Sequence, residues 1–312
     1  MARILVSGLI NIETTLKVEG FPLPYFPVTY PFFGVNSSVS GVGYNLTKAL
    51  TTLGDTVTFL SLIGTDLAGQ QVRAALHELG VADERVLAQS AHTAQSVILY
   101  DPSGRRQVHT DLKDIQEQVY PAELFDSAAA GCDLCALCNI NFSRALLARA
   151  RALGKPVACD VHALGSFDDE YNRDFMAAAE ILFLSHERLP VPPEAAAEEL
   201  YARYQNPVIV IGLGGEGALL RVARDGFVGR FASVQTRTVV STIGAGDALF
   251  SAFLHGYARS DDPYQALKSA VVFASYKIGA TSAAEGFLDE GGLAEWERRV
   301  YAAVTSPKIT HI

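Results

Sequence analysis

The chain has 312 residues, of which 49% are hydrophobic and only 19% are charged, a composition that excludes an intrinsically disordered chain. The length allows one large α/β domain or two smaller domains. A net charge of −9 argues against binding to nucleic acid or to an anionic membrane surface, so we expect neither among its partners.

Short apolar runs alternate with helical runs along most of the chain. The first apolar run, residues 1–10, is followed at once by Asn11 and Glu13, which predicts a first strand rather than a secretion signal and favours a cytoplasmic location. Gly54, Gly80 and Gly154 predict helix ends. The predicted strands are 3–9, 57–63, 134–140, 156–160, 181–184 and 208–211, and the predicted helices are 42–53, 67–79, 143–153, 247–259 and 263–278.

This alternation predicts an α/β fold in which a mainly parallel, doubly wound sheet carries helices on both faces. Ser143 is expected to cap the helix that it begins. Because no linker or low-complexity stretch interrupts the pattern, residues 1–312 are expected to form a single domain.

Two segments break the alternation. Residues 14–35 contain four prolines and six aromatic residues, which excludes a helix or a central strand. Residues 93–110 have the pattern of a hairpin that turns at residues 101–104. Together they predict a small β lid, formed by about 12–35 and 93–111, over the carboxyl edge of the main sheet. The alternative is two surface excursions without a role.

Three cysteines are spaced as in an iron–sulfur run, namely Cys132, Cys135 and Cys138. Residues 132–138 have the pattern of a buried strand, in which Cys135 would point away from the other two, so the three could not bind one ion. We interpret them, with Cys159, as structural thiols. His162 follows a predicted strand and either lines a site or lies at the surface.

The turn Gly244-Ala245-Gly246-Asp247 leads directly into an apolar helix. Glycines allow a ligand to approach the backbone, and a helix N-terminus offers amide donors to an anion. Asp247 would lie beside that anion and could accept a proton from an attacking hydroxyl. An ordinary helix start after a glycine turn is the alternative.

Two further glycine-rich turns are candidates for ligand binding. Residues 40–45 enter a helix, where Gly41 and Gly43 permit close approach of a polar ligand and Asn45 offers donors and an acceptor. Residues 212–217 follow a predicted strand, at the end where open α/β sheets bind ligands. Tight packing at a strand–helix corner is the alternative for the first turn.

These residues resemble the ribokinase, or PfkB, family of carbohydrate kinases over nearly the whole chain. The strongest element is Gly244–Asp247 with its helix, followed by Gly41–Asn45 with Leu53-Gly54. The opening strand with Gly8–Glu13, then Gly64-Thr65-Asp66 with Gly69, and then Leu213-Gly214 with Gly217 complete the order. The resemblance implies a ribokinase-like doubly wound domain with a small β lid.

The resemblance also implies a reaction, transfer of the γ-phosphoryl group of ATP, with Mg²⁺, to a hydroxyl, primary in most members, of a small sugar. Asp247 would be the general base, and Gly244, Ala245 and Gly246 would form the anion-binding turn with it. The residues implied for the acceptor are Asn11, Glu13, Gly41, Gly43 and Asn45. Those implied for the nucleotide are Gly212, Gly214 and Gly217.

The chain departs from the family pattern at several positions. Ser241 stands where members have an Asp that helps bind a monovalent cation, which leaves activation by such a cation open. In the Asn-x-x-Glu motif linked to Mg²⁺, Ser185 takes the Asn place and Arg188 the Glu place, so Glu187 is the candidate metal contact. Glu13 replaces the usual Asp.

Several alternatives stay open at this point. The aromatic residues of the lid could stack on a nucleobase or on a sugar face, so a ribonucleoside kinase is the nearest alternative to a sugar kinase. The same rings could fill the lid or join two lids in a homodimer. Arg105 and Arg106 either reach a substrate anion or are solvated. The altered magnesium motif also allows a catalytically impaired, ligand-binding relative.

Overall fold

The computed structural model describes residues 1–302 of the chain. In this part the strands are β1 (Arg3–Ser7), β2 (Asn11–Lys17), β3 (Val35–Ser40), β4 (Thr56–Gly64), β5 (Val86–Ser90), β6 (Gln95–Tyr100), β7 (Arg106–Asp111), β8 (Leu134–Leu137), β9 (Val157–Ala163), β10 (Ile181–Ser185), β11 (Val208–Gly212), β12 (Gly217–Val222) and β13 (Phe227–Ala232). The α-helices are α1 (Val42–Thr52), α2 (Leu67–Leu79), α3 (Ala122–Ala129), α4 (Asn141–Ala152), α5 (Arg173–Ala178), α6 (Pro193–Tyr204), α7 (Ala245–Ser260), α8 (Pro263–Lys277) and α9 (Glu290–Ala302).

Nine strands form the main sheet, in the order β13-β12-β11-β10-β9-β8-β1-β4-β5. The pairs β11–β12 and β12–β13 are antiparallel, and the other neighbours pair in parallel. From β1 the chain passes through α1 to β4 on one side, whereas β8 continues through α4 to β9 on the other. The crevice at the carboxyl ends of β1 and β8 is therefore a switch point, where open sheets bind ligands.

Helices cover both faces of this sheet because side chains alternate along the buried strands. Ile4 and Val6 of β1 belong to a core that includes Phe253 of α7. Leu5 lies on the opposite face, in a core that includes Leu146 of α4. The prediction of a mainly parallel, doubly wound sheet between two layers of helices is confirmed.

A second sheet has the strand order β3-β2-β6-β7. The pair β2–β6 is parallel, and the β6–β7 hairpin is closed by Asp101, whose side chain accepts from the amides of Ser103 and Arg105 at 2.9 and 3.1 Å. The strands of this sheet lie in both segments expected in the lid, and the sheet extends to Ser40. Residues 18–34, between β2 and β3, form no regular strand. That the chain is one domain with this sheet as a lid stays a prediction.

The helix after β8 begins earlier than expected. It starts at Asn141, and Ser143 lies inside its first turn rather than at its cap. The Ser143 hydroxyl lies 2.8 Å from the Ser7 hydroxyl, and both side chains are buried. Ser143 therefore serves to join α4 to the end of β1.

The cysteine arrangement differs in part from the prediction. Cys132 precedes β8 instead of lying within it, and its sulfur is 3.5 Å from that of Cys135, so the expectation that these two point apart is wrong. Cys135 and Cys138 do lie on opposite faces of the sheet. Cys159 and the other three are buried free thiols. Within residues 1–302, no three His, Cys, Asp or Glu side chains are grouped as a metal site.

Candidate functional site

The N-terminus of α7 opens into a cavity beyond the carboxyl edge of the main sheet. Gly244 is its N-cap and has a left-handed backbone, with φ of 76°. A Cβ atom at Gly244 would lie 2.7 Å from the carbonyl oxygen of Ala283, so only glycine fits this turn. The turn places Asp247, half-buried, in the first turn of the helix with its side chain at the cavity.

The backbone amides of this first turn are the candidate anion donors. Helix geometry leaves the amides of Gly246 and Asp247 without acceptors inside the helix. The Ala245 amide instead donates to the carbonyl of Thr242 at 3.2 Å, so the turn itself already uses it. The predicted contribution of Ala245 to an anion hole stays a prediction.

Helix α1 brings a second functional side chain to Asp247. The Asn45 side-chain amide donates to Asp247 Oδ2 at 2.7 Å. This helix lies close to β1 because Gly43 packs on Gly8: a Cβ atom at Gly43 would be 2.5 Å from the Gly8 carbonyl carbon. Gly43 thus has a packing role, and its predicted substrate contact stays a prediction, as does that of Gly41.

Buried polar side chains from the second sheet complete this cluster. The Ser40 hydroxyl lies 3.1 Å from Glu13 Oε2 and 3.2 Å from Asn45 Oδ1, and Asn11 Nδ2 donates to Ser96 Oγ at 3.1 Å. Asn11 Oδ1 and Glu13 Oε1 are buried without a hydrogen-bond partner. Unpaired buried acceptors are costly, so these two oxygens are suited to receive the hydroxyl donors of a polyol.

Burial changes the protonation of the two carboxylates in the cluster. It raises the pKa of Asp247 above its ordinary value, and the hydrogen bond from Asn45 opposes this shift. Burial also raises the pKa of Glu13, with the bond from Ser40 opposing it. A raised pKa makes Asp247 a stronger base than an exposed aspartate.

The cavity has a volume of about 690 Å³ and extends from Asp247 along the carboxyl ends of the strands. It is lined by all three glycines predicted at the nucleotide, Gly212, Gly214 and Gly217. It is also lined by apolar residues from the segment before α7 and from α8 and its C-cap, namely Val234, Val239, Val271, Ala274 and Ile278. Apolar side chains combined with backbone-rich turns are suited to bind a nucleobase.

The hairpin of the second sheet reaches across to this cavity. Arg106 donates to the hydroxyl of Thr242 at 3.2 Å and lies 3.6 Å from Glu187. Arg105, by contrast, pairs with the buried Asp101 at 2.7 Å. Of the two candidate arginines, Arg106 thus lies beside the turn that begins α7, whereas Arg105 closes the hairpin.

His162 lines the cavity with a strained backbone. Its φ of 56° is rare for a residue other than glycine. Its amide donates to Asp160 Oδ1 at 2.8 Å, and its ring nitrogen lies 3.7 Å from Asp160 Oδ2. Of the two alternatives for His162, lining a site or lying at the surface, the structure favours the first. Asp160 also lines the cavity, and the sequence analysis did not identify it as a site residue.

Two carboxylates in the cavity wall are candidates for Mg²⁺. Mg²⁺ at nucleotide sites is usually held by one or two carboxylates, water and the phosphates themselves. Glu187 lines the cavity with its side chain 56% exposed, and Asp160 lies in the same wall. This donor set fits an ion held mainly by a nucleotide, and the assignment of Glu187 stays a prediction.

Sequence analysis also missed Lys277, in the last turn of α8. Its side chain is 0% exposed, and its ammonium donates to the carbonyl oxygen of Ile243, immediately before Gly244. A lysine at a helix C-terminus is ordinarily read as a solvated charge, so the sequence contained no signal for this role.

The aromatic residues of segment 18–34 are mostly exposed. Tyr25, Tyr30, Phe32 and Phe33 are between 76% and 102% exposed, so these rings do not fill the interior of the lid. Phe21 lies against the Arg105 guanidinium, 5.7 Å from it. A homodimer joined through this segment stays a prediction. No helix among residues 1–302 is both long enough and apolar enough to cross a bilayer.

Comparison with known proteins connects this geometry to a protein family. The profile described as pfkB family carbohydrate kinase matches residues 1–290. The chain is 27% identical to Acarbose 7(IV)-phosphotransferase of Actinoplanes sp. over 294 residues, which cover 93% of this chain and 96% of that protein. It is 26% identical to an ATP-dependent ribose-1-phosphate kinase of Halopiger xanaduensis over 274 residues, covering 86% and 90% of the two chains.

A solved structure is similar over the same length. The structure of a microbiome-derived acarbose kinase superposes with a TM-score of 0.85 at 23% identity, and the match covers 96% of this chain and 99% of that one. This likeness concerns the fold, and it confirms the predicted fold class.

Proposed function

Since the chain belongs to the pfkB family of carbohydrate kinases, we propose that it transfers the γ-phosphoryl group of ATP to a hydroxyl of a sugar, with Asp247 as the general base. The observation that carries this proposal is the position of Asp247. It lies at a glycine turn that begins a helix, and it is hydrogen-bonded by Asn45 beside two unpaired buried acceptors.

The proposed proton transfer starts at the free carboxylate oxygen of Asp247. Asn45 donates to Oδ2, which leaves Oδ1 to accept the proton of the attacking hydroxyl. The acceptor oxygen then forms a bond to the γ-phosphorus while the bond from that phosphorus to the β–γ bridging oxygen breaks, and ADP leaves. The hydrogen bond from Asn45 orients the carboxylate for this step.

The proposed anion site lies at the first turn of α7. The amides of Gly246 and Asp247 would donate to the transferring phosphoryl oxygens, assisted by the positive end of the helix dipole. Arg106, anchored at Thr242, supplies a positive charge at the same turn. This local arrangement allows an acidic protein to hold a triphosphate.

The acceptor would bind against the buried cluster of the second sheet. Asn11 Oδ1 and Glu13 Oε1 would each accept a hydrogen bond from a hydroxyl, which removes the cost of burying them unpaired. A polyol provides several such donors at once, and an apolar ligand provides none. The cluster therefore favours a sugar or the sugar part of a larger molecule.

The nucleotide would lie along the cavity wall formed by Gly212, Gly214 and Gly217. Bound Mg²⁺ would neutralise charge on the phosphates. Glu187 and Asp160 are the residues of this wall that would hold it, directly or through water.

A coupled assay of ADP release over a panel of sugars, phosphosugars and nucleosides tests the proposal. We expect turnover with at least one sugar and loss of that turnover in Asp247→Asn. Binding of an acceptor without any ADP or phosphorylated product, over the whole panel, would instead indicate the alternative of a catalytically impaired binding relative.

The exposed rings of segment 18–34 support a second candidate, an acceptor with an additional ring, either a larger saccharide or a nucleoside. Next to Phe21 and Arg106 lies an open pocket of about 800 Å³ that shares Gly104 and Glu187 with the main cavity. Aromatic rings can stack on sugar faces and on nucleobases.

The double variant Tyr30→Ser/Phe32→Ser tests this second candidate. These two rings stack on each other with centroids 6.4 Å apart. We expect KM to rise about tenfold for a multi-ring acceptor, corresponding to about 1.4 kcal/mol, and to stay unchanged for a single-ring sugar. Val119→Ser, which removes another exposed side chain, is the control. A change in molar mass by light scattering, with unchanged KM values, would instead assign these rings to a homodimer contact.

A further inference from the structure

The ammonium of Lys277 is buried directly behind the anion-binding turn. The side chain is 0% exposed and donates to the carbonyl oxygen of Ile243. Burying a charge is expensive unless it is paired, so a lysine at this position needs a compensating role. Its partner is the residue that precedes Gly244, the N-cap of the helix that carries Asp247.

Both backbone polar groups of Ile243 are bonded by side chains of the chain itself. The Ile243 amide donates to Ser241 Oγ at 3.3 Å, and the Ile243 carbonyl accepts from Lys277. The peptide planes on either side of Ile243 are thereby fixed. This fixes the direction of the turn that follows, and hence of the amides that face the cavity.

The charges around Lys277 favour its protonated form. Asp247 on α7, Glu13 on β2 and Glu285 after α8 stabilise the ammonium, whereas Arg237, on the segment before α7, opposes it. Burial lowers the pKa of Lys277 to about 8, which leaves most of the ammonium charged at neutral pH. The turn is therefore preceded by a buried ammonium that is bonded to the Ile243 carbonyl.

Proteins also bind monovalent metal ions through backbone carbonyl oxygens, so the Ile243 carbonyl could in principle contact such an ion. Here the residues do not fit such an ion. The carbonyl of Ile243 is already taken by the ammonium, and residues 238–246 contain no carboxylate, because Ser241 stands where the resemblance placed an aspartate. A second cation would also meet repulsion from Lys277 and Arg237.

We propose that Lys277 is a positioning residue that acts as a built-in cation, so that the enzyme needs no added monovalent ion. The charge is supplied by a side chain tethered to α8, and it holds the anion-binding turn in its active form. This inference rests on the proposed phosphotransfer for its kinetic consequence. Its structural consequence can be measured without turnover. This consequence is that the Lys277 ammonium occupies the place beside the Ile243 carbonyl where a monovalent ion would otherwise bind, which we call the cation position.

Thermal unfolding provides the measurement that is independent of activity. For the wild type, we expect the same melting temperature in 100 mM KCl, NH₄Cl, NaCl and choline chloride. For Lys277→Ala, which opens a space beside the Ile243 carbonyl, we expect KCl and NH₄Cl to raise the melting temperature above its value in choline chloride, because an ion that binds only the folded state stabilises it. Stabilisation of the wild type by K⁺ would overturn the proposal.

The kinase assay tests the positioning role. Lys277→Met keeps a long unbranched chain without the charge, and we expect kcat to fall at least tenfold while KM for the acceptor changes less than threefold. In Lys277→Ala, propylammonium, which replaces the missing atoms, should restore kcat, and tetramethylammonium at equal concentration should not. Lys268→Met, an exposed position on the same helix, is the control.

The outcomes separate this inference from the proposed function. A wild-type rate that rises several-fold on adding K⁺, or full kcat in Lys277→Met, would overturn the role of Lys277. Failure of the wild type to phosphorylate any acceptor would count against the proposed function, and the melting temperatures would still decide whether Lys277 occupies the cation position. If Lys277→Ala does not fold, the wild-type salt series together with kcat of Lys277→Met decides the role of Lys277.

Discussion

The side-chain amide of Asn45 donates to the carboxylate of Asp247 at 2.7 Å, across 202 residues of chain. This contact joins α1 to α7 at the carboxyl edge of the main sheet. It both orients the carboxylate and counteracts part of the pKa increase that burial causes. The first two predictions below concern this pair.

Replacement of Asp247 by Asn should abolish most of the turnover. The amide is almost isosteric but cannot accept the proton, so we expect kcat to fall about 10²- to 10⁴-fold. The circular dichroism spectrum and the melting temperature should be close to those of the wild type. Asp261→Asn, on the exposed C-cap of the same helix, should keep full activity. Full activity of Asp247→Asn would exclude Asp247 as the base.

Replacement of Asn45 by Ala should move the acidic limb of the kcat/KM profile to higher pH. The lost hydrogen bond stabilises the ionised form of Asp247, so the pKa of the carboxyl rises and the base form is lost at a higher pH. A shift of about one pH unit is expected, since a hydrogen bond to a charged group contributes about 1.5 kcal/mol. The exposed Asn36→Ala is the control, and an unmoved acidic limb would contradict the assignment.

Replacement of Arg106 by Ala should weaken nucleotide binding more than acceptor binding. Arg106 contacts Thr242 and Glu187, which line the cavity proposed to hold the nucleotide. Because the guanidinium is partly solvated, we expect a modest effect, an increase in KM for ATP of about three- to tenfold. Arg105→Ala, which removes the hairpin pair with Asp101 and the contact with Phe21, should leave that KM unchanged. Equal effects of the two variants would remove the specific role of Arg106.

Replacement of Gly43 by Ala should destabilise the protein. The new methyl group would lie 2.5 Å from the backbone of Gly8, which cannot move without displacing β1. Overpacking of this kind costs about 1–3 kcal/mol in the free energy of unfolding, measurable by denaturant titration. Gly131→Ala, whose methyl group would meet no atom within 4 Å, should be close to neutral. Equal stability of both variants would contradict the packing role.

Much of the fold could be predicted because its signals are local. Residues that are adjacent along the chain determine the alternation of buried strands with helices. The strand at residues 208–212 and helix α2 accordingly follow the predicted limits closely. The glycine turn before Asp247 is equally local. Family membership confirms the predicted sugar kinase.

The predictions are wrong or incomplete where contacts between residues distant in sequence determine the position of a side chain. Ser143 has the residue type of a helix cap, but its hydroxyl is used by Ser7, 136 residues away in sequence. Cys132 approaches Cys135 because β8 begins only at Leu134, so Cys132 takes no part in the side-chain alternation of the strand. In the sequence, Lys277 has the position of an ordinary lysine at a helix C-terminus. Only the folded structure shows that its ammonium is buried against the carbonyl of Ile243.

The separation between Asn45 and Asp247 has a consequence for how the enzyme is made. Asn11, Glu13 and Asn45, which are proposed to hold the acceptor, leave the ribosome first, and Asp247 follows 202 residues after Asn45. Lys277 emerges later still, at the end of α8. The groups proposed to bind the sugar are therefore synthesised long before the proposed base, so a message that is translated only as far as β13 yields a protein without Asp247.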